Sequence, residues 1–188
     1  MNGEESEDIE LMAAVREGDQ QAFAALVYRY RARLRRFYLS LGEEADSAED
    51  LAQETLLRLW VARERYEPHG RFSTYLFQIA RNCRLNALRS RKRHPAGDPV
   101  GETVPEPRSS PAWPWNPVFN AYRMREVRRA IASLPEPQRE VFVLCHLQGF
   151  TNAETATMLG VPIGTVKSRM SAAVHRLRVA LEHWSERE

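Results

Sequence analysis

Two helices joined by a very short turn are predicted between Thr151 and Arg178, and this segment constrains the fold more than any other. Thr151 and Glu154 have the spacing of a capping box, in which side chains satisfy backbone N–H groups at a helix start. Gly160 suits the left-handed position just past a helix end, and Pro162 suits the first turn of the next helix. The segment therefore predicts a helix-turn-helix.

The second helix of this motif is predicted to be long and one-sided. Its apolar residues recur every three or four positions, and they are Val166, Met170, Val174, Leu177 and Leu181. No acidic residue occurs in it before Glu182. Helix starts favour Asp and Glu because of the helix dipole, so Lys167 and Arg169 in the first turns indicate a phosphate surface. A helical hairpin inside an ordinary bundle is the alternative, since short turns between helices are common.

Composition limits the class of protein less than the arrangement of residues does. The chain has 188 residues, 43% of them hydrophobic, which is enough for one domain or two small ones. Cys83 and Cys145 lie far apart without a Cys/His ligand spacing, so we expect a reduced, cytoplasmic protein with no metal and no cofactor. No apolar run has membrane-spanning length, and the acidic N-terminus does not resemble a signal peptide.

The N-terminal part predicts two helices over residues 8–41 and a third over about 47–65. Gly18 and Asp19 indicate a helix end followed by a new cap. The second helix carries five arginines, which form either a solvated face or a nucleic-acid contact: Arg29, Arg31, Arg33, Arg35 and Arg36. The third helix has an apolar side, and on its opposite side lie Asp50, Gln53, Glu54 and Arg58. Composition alone predicts only that this second side is exposed.

Residues 68–97 contain no acidic residue but many basic ones. The basic residues are Arg71, Arg81, Arg84, Arg89, Arg91, Lys92 and Arg93. In a helix, one side would carry Phe72, Leu76, Ile79, Cys83 and Ala87. Arg81, Arg84 and Lys92 would face almost directly opposite, with Asn82 and Asn86 on the flanks. Such a surface suits single-stranded nucleic acid, because cations bind the backbone, rings stack on bases and amides bind base edges. Of the rings at the head of this helix, Phe72 and Tyr75 fit the core better, whereas Tyr66 fits either role.

Seven of the eleven prolines fall between His94 and Pro117, in a stretch without periodicity. Such a composition predicts an extended linker. We therefore expect an all-α protein with a domain at 1–94, a linker at 95–117 and a second domain at 118–188. The second domain would hold four helices, including the helix-turn-helix. Trp113 and Trp115 in the linker favour docking onto a protein surface over a ligand role.

Five segments of the chain resemble bacterial RNA polymerase sigma factors of the sigma-70 family, in the extracytoplasmic-function (ECF) class. The segments are GDQQAFAALVYRY at 18–30, DLAQETLLRLW at 50–60, FSTYLFQIARN at 72–82, LPEPQREVFVL at 134–144 and GVPIGTVKSRM at 160–170. The resemblance covers about residues 8 to 183. It implies a protein that binds core RNA polymerase, recognises −35 and −10 promoter elements and aids melting without ATP.

The resemblance also implies roles for individual residues. Asp50, Gln53 and Glu54 would dock on the clamp helices of the largest polymerase subunit. A flipped base of the −10 element would lie near Tyr66, Asn82 and Asn86. The residues that would contact the −10 element are Tyr66, Arg71, Arg81, Asn82, Arg84, Asn86, Arg89 and Lys92. The −35 element would be contacted by Thr165, Lys167, Ser168, Arg169, Ser171 and Ala172, of which Thr165 and Arg169 hold phosphates. A partner anti-sigma factor is expected as well.

Ala172 departs from the family, where many relatives carry a large and often cationic side chain, and Ser171 is also small. A missing bidentate Arg removes about 1–3 kcal/mol of base discrimination. We therefore expect −35 preference to depend on Lys167, Ser168 and DNA shape.

The alternative function is a stand-alone helix-turn-helix repressor or activator that does not engage polymerase. An enzyme is disfavoured, because the sequence shows no catalytic triad order, paired carboxylates or phosphate-binding loop.

Overall fold

The computed structural model describes residues 3–68, 70–93 and 117–182, and the chain divides into two compact units. The first unit contains α1 (Gly3–Arg16), α2 (Gln20–Ser40), α3 (Ala45–Val61) and α4 (Phe72–Arg93). The second contains α5 (Pro117–Ala132), α6 (Glu136–Phe142), α7 (Asn152–Leu159) and α8 (Ile163–Leu181). The described ranges contain no strand, and the all-α prediction is confirmed. Trp113, Trp115 and residues 95–116 of the expected linker lie outside these ranges, so the domain boundaries stay a prediction.

The break between α1 and α2 is formed by the residues that the sequence indicates. Gly18 has a φ of 91°, a left-handed conformation that glycine adopts without strain. The Asp19 carboxylate then accepts hydrogen bonds from the backbone N–H groups of Gln21 (2.8 Å) and Ala22 (3.1 Å). It therefore caps the N-terminus of α2. Helix α1 begins at Gly3, five residues before the predicted start.

Tyr38 joins three helices in the core of the first unit. Its side chain is fully buried, and its hydroxyl donates to the carbonyl of Ala80 on α4 (2.9 Å). The same hydroxyl lies 2.6 Å from the Thr55 hydroxyl on α3. Phe37 packs edge-on against Phe77 at a ring distance of 5.1 Å. A buried phenol with partners on two helices fixes their register, because leaving it unpaired would cost free energy.

The helix-turn-helix of the second unit has the predicted caps. Thr151 and Glu154 form both halves of the capping box: the Glu154 N–H donates to Thr151 Oγ1 (3.2 Å), and the Thr151 N–H donates to Glu154 Oε2 (2.7 Å). Gly160 ends α7 with a φ of 64°. Pro162 takes the N-cap position of α8, one residue before the first turn.

The buried side of α8 differs in one position from the predicted apolar stripe. Val166, Ala173 and Leu177 are buried, whereas Val174 is 37% exposed. The prediction was wrong for Val174, because α8 packs against α5, α6 and α7 together and Ala173 faces that junction. A π-helical turn at Val143–Leu147, which the sequence did not indicate, extends α6 before the turn at Gly149.

Among the described residues, no helix combines the length and the apolar character that crossing a membrane demands.

Candidate nucleic-acid interface

The outer face of α4 presents amide and basic side chains to solvent. Asn82, Asn86, Arg89 and Lys92 are exposed, and their spacing of three or four residues puts them on one face. Arg81 lies at the edge of this face and is half-buried. An amide side chain both donates and accepts hydrogen bonds, whereas Arg and Lys only donate. This exposed face, called the α4 amide–basic face below, suits base edges and backbone phosphates side by side.

Arg84 does not belong to this face, and its predicted orientation was wrong. The side chain is 6% exposed, and its Nε lies 2.8 Å from Oε1 of Glu43, which is 4% exposed. The buried arc of α4 includes Phe77 and Ala80, two residues outside the predicted stripe, and Arg84 falls inside that wider arc. Arg91 reaches the other oxygen of the same carboxylate at 2.8 Å. Arg84 and Arg91 of α4 therefore both pair with the Glu43 carboxylate of the same unit.

Aromatic residues at the head of α4 form a cluster in which Tyr66 is the inner ring. Tyr66 is 3% exposed, with ring distances of 6.1 Å to Phe72 and 5.0 Å to Tyr75. Burial raises the pKa of Tyr66 and of Tyr75. Of the two roles that the sequence allowed, Tyr66 takes the core role. A flipped base cannot stack on a ring covered in this way, so the assignment of Tyr66 as a direct contact of the −10 element is corrected. Tyr75 is the half-buried ring of the cluster.

Arg71, which precedes α4, is bound by a carboxylate from the N-terminal helix. Its Nε lies 3.1 Å from Oε2 of Glu5, and Oε1 of Glu5 accepts a hydrogen bond from Ser73 Oγ at 2.7 Å. Glu5 is 66 residues away from Arg71 in the chain. Glu5 was not predicted, because its one sequence signal is the acidic composition of the N-terminus.

Four of the five arginines of α2 have described partners within the first unit. Arg29 pairs with Asp8 and with Glu7 on α1, whereas Arg31 (2.6 Å) and Arg35 (3.5 Å) pair with Glu49. Arg33 lies over the Phe77 ring at 4.9 Å, and burial lowers its pKa. These contacts do not favour the nucleic-acid alternative for α2, because these four guanidinium groups already have carboxylate or ring partners.

The outer face of α3 carries the three residues that the resemblance assigns to polymerase docking. Asp50 and Gln53 are exposed, and Glu54 is paired with Arg58 one turn later at 2.6 Å. Leu57 is 59% exposed and Val61 is 78% exposed, so the same face continues as an apolar surface. Sequence analysis missed these two, although their spacing from Gln53 and Glu54 places them on one face.

The predicted −35 residues are spread over the exposed side of α8. Lys167, Ser168 and Ser171 are exposed, whereas Thr165, Arg169 and Ala172 are half-buried. The Ser168 hydroxyl donates to the Thr165 carbonyl at 3.0 Å. His175 is exposed on the same face, one turn beyond Ser171 and Ala172, and sequence analysis did not assign it.

No group of three or more His, Cys, Asp or Glu side chains in the described ranges is arranged to hold a metal ion. The cysteines in this part of the chain are free thiols, and burial raises the pKa of both Cys83 and Cys145.

Two family models match the chain, one in each unit. Sigma-70 region 2 matches residues 26–94, which include α3 and α4. Sigma-70, region 4 matches residues 124–177, which include the helix-turn-helix.

Whole-chain similarity extends to curated proteins and to solved structures. The chain is 31% identical to the ECF RNA polymerase sigma factor RpoE of Cereibacter sphaeroides, covering 90% of this chain and 92% of that protein. It is 32% identical to the ECF RNA polymerase sigma factor SigM of Mycobacterium tuberculosis, covering 92% and 84%. The sigma factor RpoE from Bartonella quintana, solved with the anti-sigma factor NepR, has a TM-score of 0.71 and 29% identity over 85% of this chain and 96% of that one. CnrH, solved with the cytosolic domain of CnrY, has a TM-score of 0.69 and 25% identity over 94% and 98%.

Proposed function

The chain belongs to the ECF RNA polymerase sigma factors, and we propose that it binds core RNA polymerase, directs it to −35 and −10 promoter elements and aids promoter melting. Proteins of this family are transcription initiation factors and not enzymes. The proposal assigns −10 recognition and polymerase binding to residues 1–94, a linker to 95–117 and −35 recognition to 118–188.

The α4 amide–basic face is the observation that carries this proposal. A regulator that binds only duplex DNA needs a helix-turn-helix, which α7 and α8 supply. It has no use for exposed Asn82 and Asn86 beside Arg89 and Lys92 on a second unit. A melted strand exposes base edges for amides and phosphates for cations, so this face suits single-stranded promoter DNA.

Each residue of the proposed −10 site has a separate task. Asn82 and Asn86 bind the edge of a flipped base. The backbone is bound by the basic residues Arg71, Arg81, Arg89 and Lys92. Extruding the base costs a few kcal/mol, which edge hydrogen bonds and stacking offset, so no ATP is required. Tyr66 packs against the ring of Tyr75, and Arg84 positions α4 through its ion pair with Glu43.

In the proposed −35 complex, α8 lies in the major groove. Thr165 and Arg169 bind phosphates, and Lys167, Ser168, Ser171 and Ala172 face the base pairs. Ser171 and Ala172 carry few polar atoms, so DNA shape contributes a large share of the preference.

For polymerase docking, we assign the outer face of α3 to the clamp helices of the largest subunit. Asp50, Gln53 and Glu54 supply the polar contacts. Exposed Leu57 and Val61 extend this surface with apolar area.

An anti-sigma factor is part of the proposal, because two similar solved structures hold such a partner or a partner's cytosolic domain. We assign the protein to the cytoplasm, where polymerase and promoter DNA are found.

Run-off transcription tests the proposal. The purified chain with core polymerase is expected to transcribe a cognate promoter, whereas neither component does so alone. Tight footprinting of duplex DNA without polymerase, together with no run-off product, would establish the stand-alone repressor or activator instead. A Gly160→Val variant serves as a control for −35 recognition. Valine strains the left-handed turn before α8, so this variant is expected to lose recognition of the −35 element.

A further inference from the structure

A single carboxylate on α1 connects the N-terminal helix to the start of α4. Glu5 is 6% exposed and contacts two residues at once: Arg71 through one oxygen (3.1 Å) and Ser73 through the other (2.7 Å). Burying a carboxylate is costly unless it is paired and hydrogen-bonded. Both partners flank Phe72, the first residue of α4, so the contact fixes the chain where the helix begins.

A second buried carboxylate of α1 has its partners on a different helix. Asp8, 2% exposed, accepts hydrogen bonds from the Tyr30 hydroxyl and from Arg29, and these bonds tie α1 to α2. Glu5 and Asp8 therefore serve different neighbours. Asp8 holds the helix on the body of the unit, and Glu5 extends from it to the segment before α4.

The segment before α4 contains Arg71, which the proposed function assigns to the −10 element, and it leads directly into α4. Gly70, next to Arg71, has a φ of 78°, a left-handed conformation that glycine adopts without strain. Burial, the neighbouring Tyr75 and the carboxylates of Glu5 and Asp8 raise the pKa of Tyr66, consistent with Glu5 lying beside the aromatic cluster. The Arg71 side chain is still 37% exposed. It is thus held on one side and accessible on the other.

We propose that Glu5 is a positioning residue for −10 recognition: it fixes Arg71 and the start of α4 before DNA binds. This inference rests on the proposed function. A side chain held in its bound geometry loses less conformational freedom on binding, so the same phosphate or base contact gives more affinity. Glu5 acts through Arg71 and does not touch DNA, whose phosphates would repel a carboxylate.

The test uses the full chain with core polymerase on a duplex promoter. Glu5→Ala is expected to lower open-complex formation by about tenfold, the effect of losing the charge-assisted hydrogen bond that holds Arg71. Glu5→Gln, which still accepts from Ser73 but loses the charge opposite Arg71, is expected to give an intermediate loss. Glu10→Ala, at an exposed α1 position, is the matched control and is expected to leave open complexes unchanged.

A double-mutant cycle tests whether Glu5 acts through Arg71, and a parallel stability measurement separates positioning from general support of the fold. If Glu5 acts through Arg71, the losses from Glu5→Ala and Arg71→Ala will not add in the double variant. Asp8→Asn weakens the other anchor of α1 without touching Arg71 and is expected to affect stability more than open-complex formation. Additive losses, or equal losses for Asp8→Asn and Glu5→Gln at matched stability, would overturn the inference. If Glu5→Ala opens promoters as well as wild type does, the inference fails and the proposed function stands. If wild type opens none, the proposed function fails.

Discussion

Arg84 and Glu43 form a buried ion pair, with 2.8 Å between Arg84 Nε and Glu43 Oε1 and no more than 6% of either side chain exposed. The pair joins the middle of α4 to the turn before α3. Arg91, about two turns further along α4, binds the second oxygen of Glu43. The positive charge of α4 is therefore divided between two tasks, holding the helix in place and presenting the α4 amide–basic face.

Arg84→Ala is expected to destabilise the first unit. Removing one partner of a buried pair costs about 3–5 kcal/mol, and we expect the lower end because Arg91 still binds Glu43. Urea unfolding followed by circular dichroism measures this loss. Arg89→Ala, on the exposed face of the same helix, is the matched control and should change the free energy of unfolding by less than about 0.5 kcal/mol. Equal stability of the two variants would show that the Arg84 pair does not support the fold.

Tyr66 provides a second stability test, because its ring is the inner member of the aromatic cluster. Tyr66→Ala is expected to lower the free energy of unfolding by about 3–5 kcal/mol, as for other buried aromatic residues. Tyr66→Phe retains the ring and is expected to unfold close to wild type. If Tyr66→Ala is as stable as wild type but selectively loses −10 binding, the ring contacts DNA and the core role is wrong.

Stability is expected to fall at alkaline pH. Burial raises the pKa of Tyr30, Tyr38 and Tyr66 above the ordinary value of about 10. Folding thus favours the protonated phenol, so this stability is fully present below pH of about 10 and is lost as pH rises beyond it. Urea unfolding between neutral and strongly alkaline pH should show the decline, and Tyr38→Phe should reduce its slope. A flat profile would contradict the burial of these hydroxyls.

Polymerase docking predicts a charge-reversal effect on α3. Asp50→Lys is expected to weaken binding to core polymerase by about tenfold or more, since a favourable polar contact becomes a repulsive one. Glu10→Lys makes the same charge change at an exposed position of α1 and should bind normally. Competition for core polymerase against a labelled sigma factor measures both. Identical affinities of the two variants for core polymerase would show that Asp50 does not contribute to docking.

Local signals predicted most of the helices. The Asp19 cap, the Thr151 capping box and the turn at Gly160 each depend on residues within a few positions, and all three have the expected geometry. The Arg84–Glu43 and Arg71–Glu5 contacts join residues 41 and 66 positions apart. No periodic pattern encodes such pairs, so the sequence indicated a uniform basic face where the fold uses some cations internally. Val174 was misplaced for a similar reason: three neighbouring helices determine which side of α8 is covered.

The most direct measurement of the central claim compares closed and open promoter complexes for Asn82→Ala. Asn82 is exposed on the α4 amide–basic face, and its proposed contact forms only once a base has left the duplex. With core polymerase, Asn82→Ala should lower open-complex formation by about tenfold and leave closed-complex affinity unchanged. Gln78→Ala, an exposed amide one turn earlier on α4, should change neither. Equal loss of closed and open complexes, or no loss in either, would contradict the account.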